Sequence, residues 1–308
     1  MMTFLELIKT AVAAGDTELF LVAGRPVMLK SGNHYHKLDE LILTPSDTEK
    51  LLRQAYDIAK RPPELLDQKR DDRFALSLTG ISRIRVAAFF QRNSYALTAR
   101  IIPFGIPDPA AIGIPESVMS FARRDSGLIL LCGPSGSGKT TTAACMINAI
   151  NNSRSCHILT LEDPIEYLFR NRIAFISQRE LGLDTATLAD GLEAARWISP
   201  DVLYVDNVAT RSAFPAITEE AANDRLVLGL IRSGSPTAAI FSLLDLFTGE
   251  ERVQIASAIS RVLTAVIFQE LVSDENGKHP EFRILEPDSV TRRAIATGMA
   301  DIIRQMIP

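Results

Sequence analysis

The sequence predicts an α/β protein in two parts: a small α+β domain over residues 1–103 and a P-loop nucleotide-binding domain over residues 116–308, joined by a linker at 104–115. Three observations carry this expectation. A chain of 308 residues exceeds one ordinary domain. The segment from Pro103 to Pro115 holds prolines 103, 107, 109 and 115 and glycines 105 and 113, a composition that breaks regular structure and marks a connection. Beyond it, short apolar runs alternate with longer helix-compatible stretches, the rhythm of a buried, mainly parallel sheet covered by helices.

At the N-terminus Phe4, Leu5, Ile8 and Val12 recur at helical spacing with Glu6 and Lys9 between them. This predicts an amphipathic helix rather than a secretory signal, which needs a continuous apolar core. The runs that follow, such as Leu19-Phe20-Leu21-Val22, are punctuated by turn signals at Ser31-Gly32-Asn33 and Thr79-Gly80, and residues 83–91 read as a strand of the same small sheet. In the second part, residues 128–131, 158–161, 202–205 and 226–228 are the apolar runs expected as sheet strands. Near the end, residues 266–272, the turn Asp274-Glu275-Asn276-Gly277 and residues 282–285 read as a β-hairpin.

Composition narrows the function. With 33 basic and 37 acidic side chains the net charge is −4, so no overall electrostatic footprint points to a nucleic-acid partner. No stretch approaches the roughly 20 apolar residues of a membrane span, so any membrane role is expected from the surface. The three cysteines, 132, 145 and 156, lack CxxC spacing, which fits a reducing compartment and predicts a cytoplasmic protein without disulfides or a zinc site.

The sharpest chemical signal is Gly133-Pro134-Ser135-Gly136-Ser137-Gly138-Lys139-Thr140, followed by Thr141. Glycines at 133, 136 and 138 let the backbone approach an anion, and the helix expected from Thr141 aims N–H groups and its dipole at the β- and γ-phosphates. In this pattern Lys139 reaches between those phosphates and the Thr140 hydroxyl ligates Mg²⁺, so ATP and Mg²⁺ are the expected ligands. A second candidate is the acidic stretch Leu161-Glu162-Asp163-Pro164-Ile165-Glu166-Tyr167, past the end of a strand where α/β proteins place ligands. Glu162 is its candidate for orienting the attacking water or a magnesium-bound one; the alternative is a solvated turn. A third is the run 202–205 ending in Asp206, the ingredient of a Walker B element, with Asp206 a candidate for holding Mg²⁺ through water; the alternative is a strand cap. The next position, often a glutamate base, is Asn207, whose amide cannot take a proton from water. Arginines 83, 85, 92 and 100 cluster before the linker, either as solvated charges or as donors reaching a neighbouring subunit's γ-phosphate.

With these residues in view, the chain resembles the PilT-type retraction ATPases of type IV pili, within the wider group of secretion ATPases. The likeness spans nearly the whole chain. It rests on the P-loop, on His157-Ile158-Leu159-Thr160-Leu161-Glu162-Asp163-Pro164-Ile165-Glu166-Tyr167 as an acidic box, on Gln178-Arg179-Glu180, and on Ser199-Pro200-Asp201 leading into Walker B. Residues 83–89 and 100–103 look like the segments carrying the family's inter-subunit arginines, which singles out Arg85 and Arg100. The resemblance implies a PAS-like N-terminal domain, a RecA-like ATPase domain, and a homo-oligomeric ring, usually a hexamer. It also implies a cytoplasmic motor peripheral to the inner membrane that acts on a platform protein.

The chain departs from the family pattern at named positions. Where the family's Walker B reads Gly-Glu-Met-Arg-Asp, this chain has Asp206-Asn207-Val208-Ala209-Thr210, so the usual glutamate falls on Asn207. The family's histidine box falls on Asn223-Asp224-Arg225 and Ile231-Arg232-Ser233, with arginine in place of both histidines. The short tail after the terminal hairpin shows no clear counterpart of the family's C-terminal retraction motif. Two functional expectations follow: an ATP-hydrolysing motor subunit of a type IV pilus or related secretion system, or a non-hydrolysing, regulatory nucleotide-binding subunit working with a sister ATPase.

Overall fold

The computed structural model describes residues 2–31, 34–62, 64–65, 70–78, 80–103, 105–274 and 277–298. The expected turns at 32–33, 79 and 275–276, and the tail from 299, lie outside them. The chain divides into two compact units, Met1–Gly105 and Ile106–Pro308.

The first unit is a six-stranded antiparallel sheet with helices on one face. Its strands are β1 (Glu18–Leu21), β2 (Pro26–Ser31), β3 (His34–Ile42), β4 (Asp71–Leu78), β5 (Ser82–Gln91) and β6 (Ser94–Pro103), in spatial order β3-β2-β1-β6-β5-β4. Alternation makes this sheet two-faced: Leu19, Leu21, Ile84, Val86 and Ala99 point into the core, while Glu18 and Arg85 point out. Helices α1 (Phe4–Ala14) and α2 (Pro45–Ile58) cover the inner face. Each opens on a capping box, Thr3 with Glu6 and Thr44 with Asp47, which satisfies first-turn N–H groups reciprocally. The expected N-terminal helix is α1, with Phe4 and Ile8 in the core.

The second unit has a seven-stranded sheet in the order β13-β12-β7-β11-β10-β8-β9. Its members are β7 (Gly127–Gly133), β8 (His157–Glu162), β9 (Phe175–Glu180), β10 (Val202–Val205), β11 (Leu226–Arg232), β12 (Leu263–Asp274) and β13 (Gly277–Leu285). All pairings are parallel except the β12–β13 hairpin. The four apolar runs and the hairpin anticipated from sequence are therefore strands. The central strands read as continuous apolar runs because both of their faces are covered. On one face Ile129, Leu131, Ile158 and Tyr204 pack on helix α3 (Lys139–Ser153) and on the segment from Ile114 to Ala122. On the other, Leu130, Leu159, Leu203 and Val227 meet α4 (Leu188–Ile198), α5 (Phe214–Ala222), α6 (Pro236–Leu244), α7 (Gly249–Val262) and α8 (Ser289–Thr297). From Ile106 onward the proline-rich stretch is built into this unit: Ile114 is buried, and Cys145 donates its thiol to the Pro107 carbonyl at 3.4 Å. The two units are the PAS-like and RecA-like domains that the family resemblance implies.

Candidate nucleotide site

β7 delivers the chain buried as far as Gly133 and α3 starts at Lys139, so residues 134–138 form the loop at the carboxyl edge of the sheet. Gly138 caps α3 in the left-handed region (φ 88°) with no side-chain cap, and the first turn carries no acid. The first-turn N–H groups thus face the loop with a positive dipole end behind them, which suits an anion. Gly133 is held at φ 152°, and a Cβ there would lie 2.1 Å from the Gln269 carbonyl oxygen, so only glycine fits. Lys139 folds inward and donates from Nζ to the carbonyls of Gly133 (3.0 Å) and Pro134 (2.6 Å) and to Ser137 Oγ (3.4 Å). Burial first, and then the Arg232 charge, push its pKa down.

A cavity of about 470 Å³ opens beside the loop. Among its lining residues are Ser135, Gly136, Lys139 and Thr140 from the loop, Asp163 and Glu166 after β8, Asp206 and Asn207 after β10, and Arg232 at the end of β11. The loop, the acidic box and the Walker B position therefore meet because they follow the carboxyl ends of β7, β8 and β10, three members of the parallel run β7-β11-β10-β8. Burial, followed by the neighbouring charges of Glu166 and Asp163, raises the Asp206 pKa to about 6; Lys139 and Arg232 oppose the rise. A half-buried carboxylate facing two others is an electrostatic seat for a cation. Among the described residues no cluster of three His, Cys, Asp or Glu could hold a metal alone.

The acids of the box differ in access. Glu162 is only 2% exposed and stands behind the cavity wall, where Oε1 accepts from Thr160 Oγ1 (2.6 Å) and Gln178 Nε2 (3.1 Å). Burial raises its pKa to about 7 against those hydrogen bonds. Asp163 and Glu166 form the wall itself. Asn207 lies on the wall in a left-handed backbone conformation (φ 71°), and its Oδ1 accepts from the Ala209 N–H at 3.2 Å. Asparagine tolerates that conformation better than most residues, so its amide serves the turn.

The two arginines of the altered histidine box part company. Arg225 precedes β11, at the end away from the loop, and is ion-paired with buried Glu220 of α5. Arg232 ends the same strand, opposite Gly133 in register, and lines the cavity. In the first unit, Arg85 and Arg100 are direct cross-strand neighbours on β5 and β6, and Arg83 lies on the same face as Arg85; Arg92 sits in the tight turn between those strands.

Sequence reasoning missed two features. Gln269 of β12 is 2% exposed and accepts from the Thr142 hydroxyl at 2.8 Å, tying β12 to α3 directly behind the loop. A second groove on that side is lined by Ala110 to Ile114, Gly138, Thr141, Gln269, His279 and Pro280. A glutamine in a largely apolar strand carries no motif; the signal in the sequence is the polar pair Gln269-Glu270 inside the run 266–272. Thr141, which also lines that groove, has its Oγ1 2.9 Å from the Tyr167 hydroxyl and joins the helix to the acidic box.

Comparison with known proteins converges on one group. The profile of the family described as Type II/IV secretion system protein matches residues 91–302. The chain is 29% identical over 277 residues to the type IV pilus ATPase PilU of Pseudomonas aeruginosa, covering 90% of this chain and 72% of that protein. Against the type IV pilus retraction ATPase PilT of the same organism identity is 29% over 277 residues, covering 90% and 80%. The crystal structure of the pilus retraction motor PilT with bound ADP superposes with a TM-score of 0.90 at 31% identity, over 99% of this chain and 89% of that one.

Proposed function

The chain belongs to the Type II/IV secretion system protein family, and on that premise we propose that it is an ATP-hydrolysing motor subunit of a type IV pilus or related secretion machine. The observation that carries this is the convergence of Lys139, Thr140, Asp206 and the acidic wall on one cavity beside the loop. The loop N–H groups and Lys139 bind the β- and γ-phosphates, and the groove beside Gly138 receives the nucleoside. Thr140 and Asp206 would hold Mg²⁺, which supplies charge neutralisation between those phosphates. Glu166 orients the attacking water from the wall, with Glu162 behind it accepting the Glu166 backbone N–H. With Asn207 at the usual base position, turnover is slow, since general-base help is typically worth about 10²- to 10⁴-fold.

The subunit works in a homo-oligomeric ring, a hexamer by analogy, in which Arg85 and Arg100 serve the γ-phosphate of a neighbouring copy. The ring acts from the cytoplasm on an inner-membrane platform protein, and no helix among the described residues is long and apolar enough to cross a membrane. The silent, regulatory reading is not favoured, because phosphate, metal and water-orienting positions are all still filled by competent side chains. The test is Mg²⁺-dependent phosphate release by size-verified oligomer. Turnover that vanishes in Lys139→Ala supports the proposal, and a rate no higher than that variant's overturns hydrolysis.

A further inference from the structure

Resting on that reading of the acidic box, we infer that Tyr204 is a positioning residue for the hydrolytic step: its buried hydroxyl donates to the Glu162 carboxylate during turnover and so fixes the box from within the sheet.

Strand register sets the neighbours. Tyr204 of β10 stands opposite Leu228 of β11 and Thr160 of β8, and Thr160 in turn stands opposite Gln178 of β9. Register partners on adjacent strands share a face, so Tyr204, Thr160 and Gln178 form one row across three strands. Glu162 lies two residues beyond Thr160 on that face, one step nearer the carboxyl edge. Two members of the row already hold it, since Thr160 Oγ1 and Gln178 Nε2 both donate to Glu162 Oε1. The Gln178 amide also donates to the Tyr167 carbonyl at 2.9 Å and accepts from the Phe169 N–H at 3.0 Å, which anchors the far end of the acidic stretch to β9.

Tyr204 is the member of the row whose donor is unused. It is buried within the apolar cluster that holds Ile129, Leu131 and Met146, and its hydroxyl has no hydrogen-bond partner among the described residues. Packing alone would be served better by phenylalanine, because a buried hydroxyl without an acceptor is destabilising. Burial first, and then the charges of Glu162, Asp206 and Glu166, hold its phenol well above its usual pKa, so it stays a donor set among carboxylates. Such a donor does not hold the resting fold together. A contact made only as the reaction proceeds raises the rate without tightening substrate binding. Because Glu162 accepts the Glu166 backbone N–H, fixing Glu162 also fixes the residue that orients the attacking water.

The experiment compares the size-verified wild-type oligomer with Tyr204→Phe, which removes the hydroxyl and keeps the ring. The Mg²⁺-ATPase kcat is expected to fall roughly tenfold, the scale of a hydrogen bond to a charged group, with KM changed less than about twofold. The midpoint of urea unfolding should not fall, because no bond of the resting fold is lost. A spectroscopic readout identifies the acceptor. With Mg²⁺ and a non-hydrolysable ATP analogue, the wild-type minus Tyr204→Phe difference absorption should show the red-shifted band of a phenol donating to a carboxylate, and the shift should vanish when the same comparison is made in a Glu162→Gln background. An unchanged kcat, a KM rise that accounts for the whole loss, a lower urea midpoint, or a shift that survives in Glu162→Gln would overturn the inference while leaving the nucleotide site intact. Wild-type turnover no higher than that of Lys139→Ala would instead overturn hydrolysis, and the role of Tyr204 with it.

Discussion

Thr142 and Gln269 offer a worked test of how the loop is held. The Thr142 hydroxyl is fully buried in the first turn of α3 and donates to Gln269 Oε1, itself 2% exposed on β12, at 2.8 Å. Thr142→Val leaves the amide oxygen of Gln269 without its donor, and Gln269→Leu leaves the hydroxyl without its acceptor. Each orphaned buried group costs about 1–3 kcal/mol. Replacing both removes the mismatch, so the double variant should be less destabilised than the sum of the singles by roughly 1–2 kcal/mol. Urea unfolding of the four proteins, followed by far-UV circular dichroism, gives the cycle directly. Additivity within about 0.5 kcal/mol would refute the claim that this bond ties β12 to the P-loop helix.

Two further outcomes follow from the cavity wall. Asn207→Asp keeps a residue that tolerates the left-handed backbone and the Ala209 turn while restoring a carboxylate, so Mg²⁺-ATPase turnover should rise at least tenfold; Asn207→Glu should gain less, because a longer side chain is strained at φ 71°. A rate unchanged in both variants would show that the amide is not what limits turnover. The second outcome is a pH dependence. Asp206 is raised from 3.8 to about 6 and Glu162 from 4.5 to about 7, so the folded protein binds more protons than the unfolded chain in that window. Their contribution to stability is therefore full below about pH 4 and is lost as pH rises through 6 to 7, by roughly 3 kcal/mol each. For the same reason Mg²⁺-dependent nucleotide affinity should fall about tenfold per unit below pH 6 and level off above 7, with Asp206→Asn abolishing the slope. Isothermal titration between pH 5 and 8 checks this, and a flat profile in the wild type would contradict it.

Much of the second unit was legible because its signals are local. Glycine, lysine and threonine spacing marks a phosphate loop, and strands buried on both faces announce themselves as unbroken apolar runs such as residues 128–131 and 202–205. What stayed hidden depends on direction and neighbours. Whether Glu162 or Glu166 faces a cavity is decided by how the chain turns after β8, and a string of letters does not show that turn. The strand β9 escaped notice because an edge strand with half-exposed Ile176, Ser177 and Gln178 lacks the apolar continuity of its neighbours. Arg225 and Arg232 look alike in sequence, yet they bracket one strand and so sit at opposite edges of the sheet. Gln269 became meaningful only when β12 was placed beside β7.

The central claim is that the loop at residues 133–140 holds a nucleotide, and its most direct measurement is calorimetric titration of the purified chain with Mg²⁺ and ATP beside Lys139→Ala. The account predicts saturable, one-to-one binding per subunit that weakens at least tenfold in the variant. Equal affinity in both proteins, or no binding by the wild type, would contradict it.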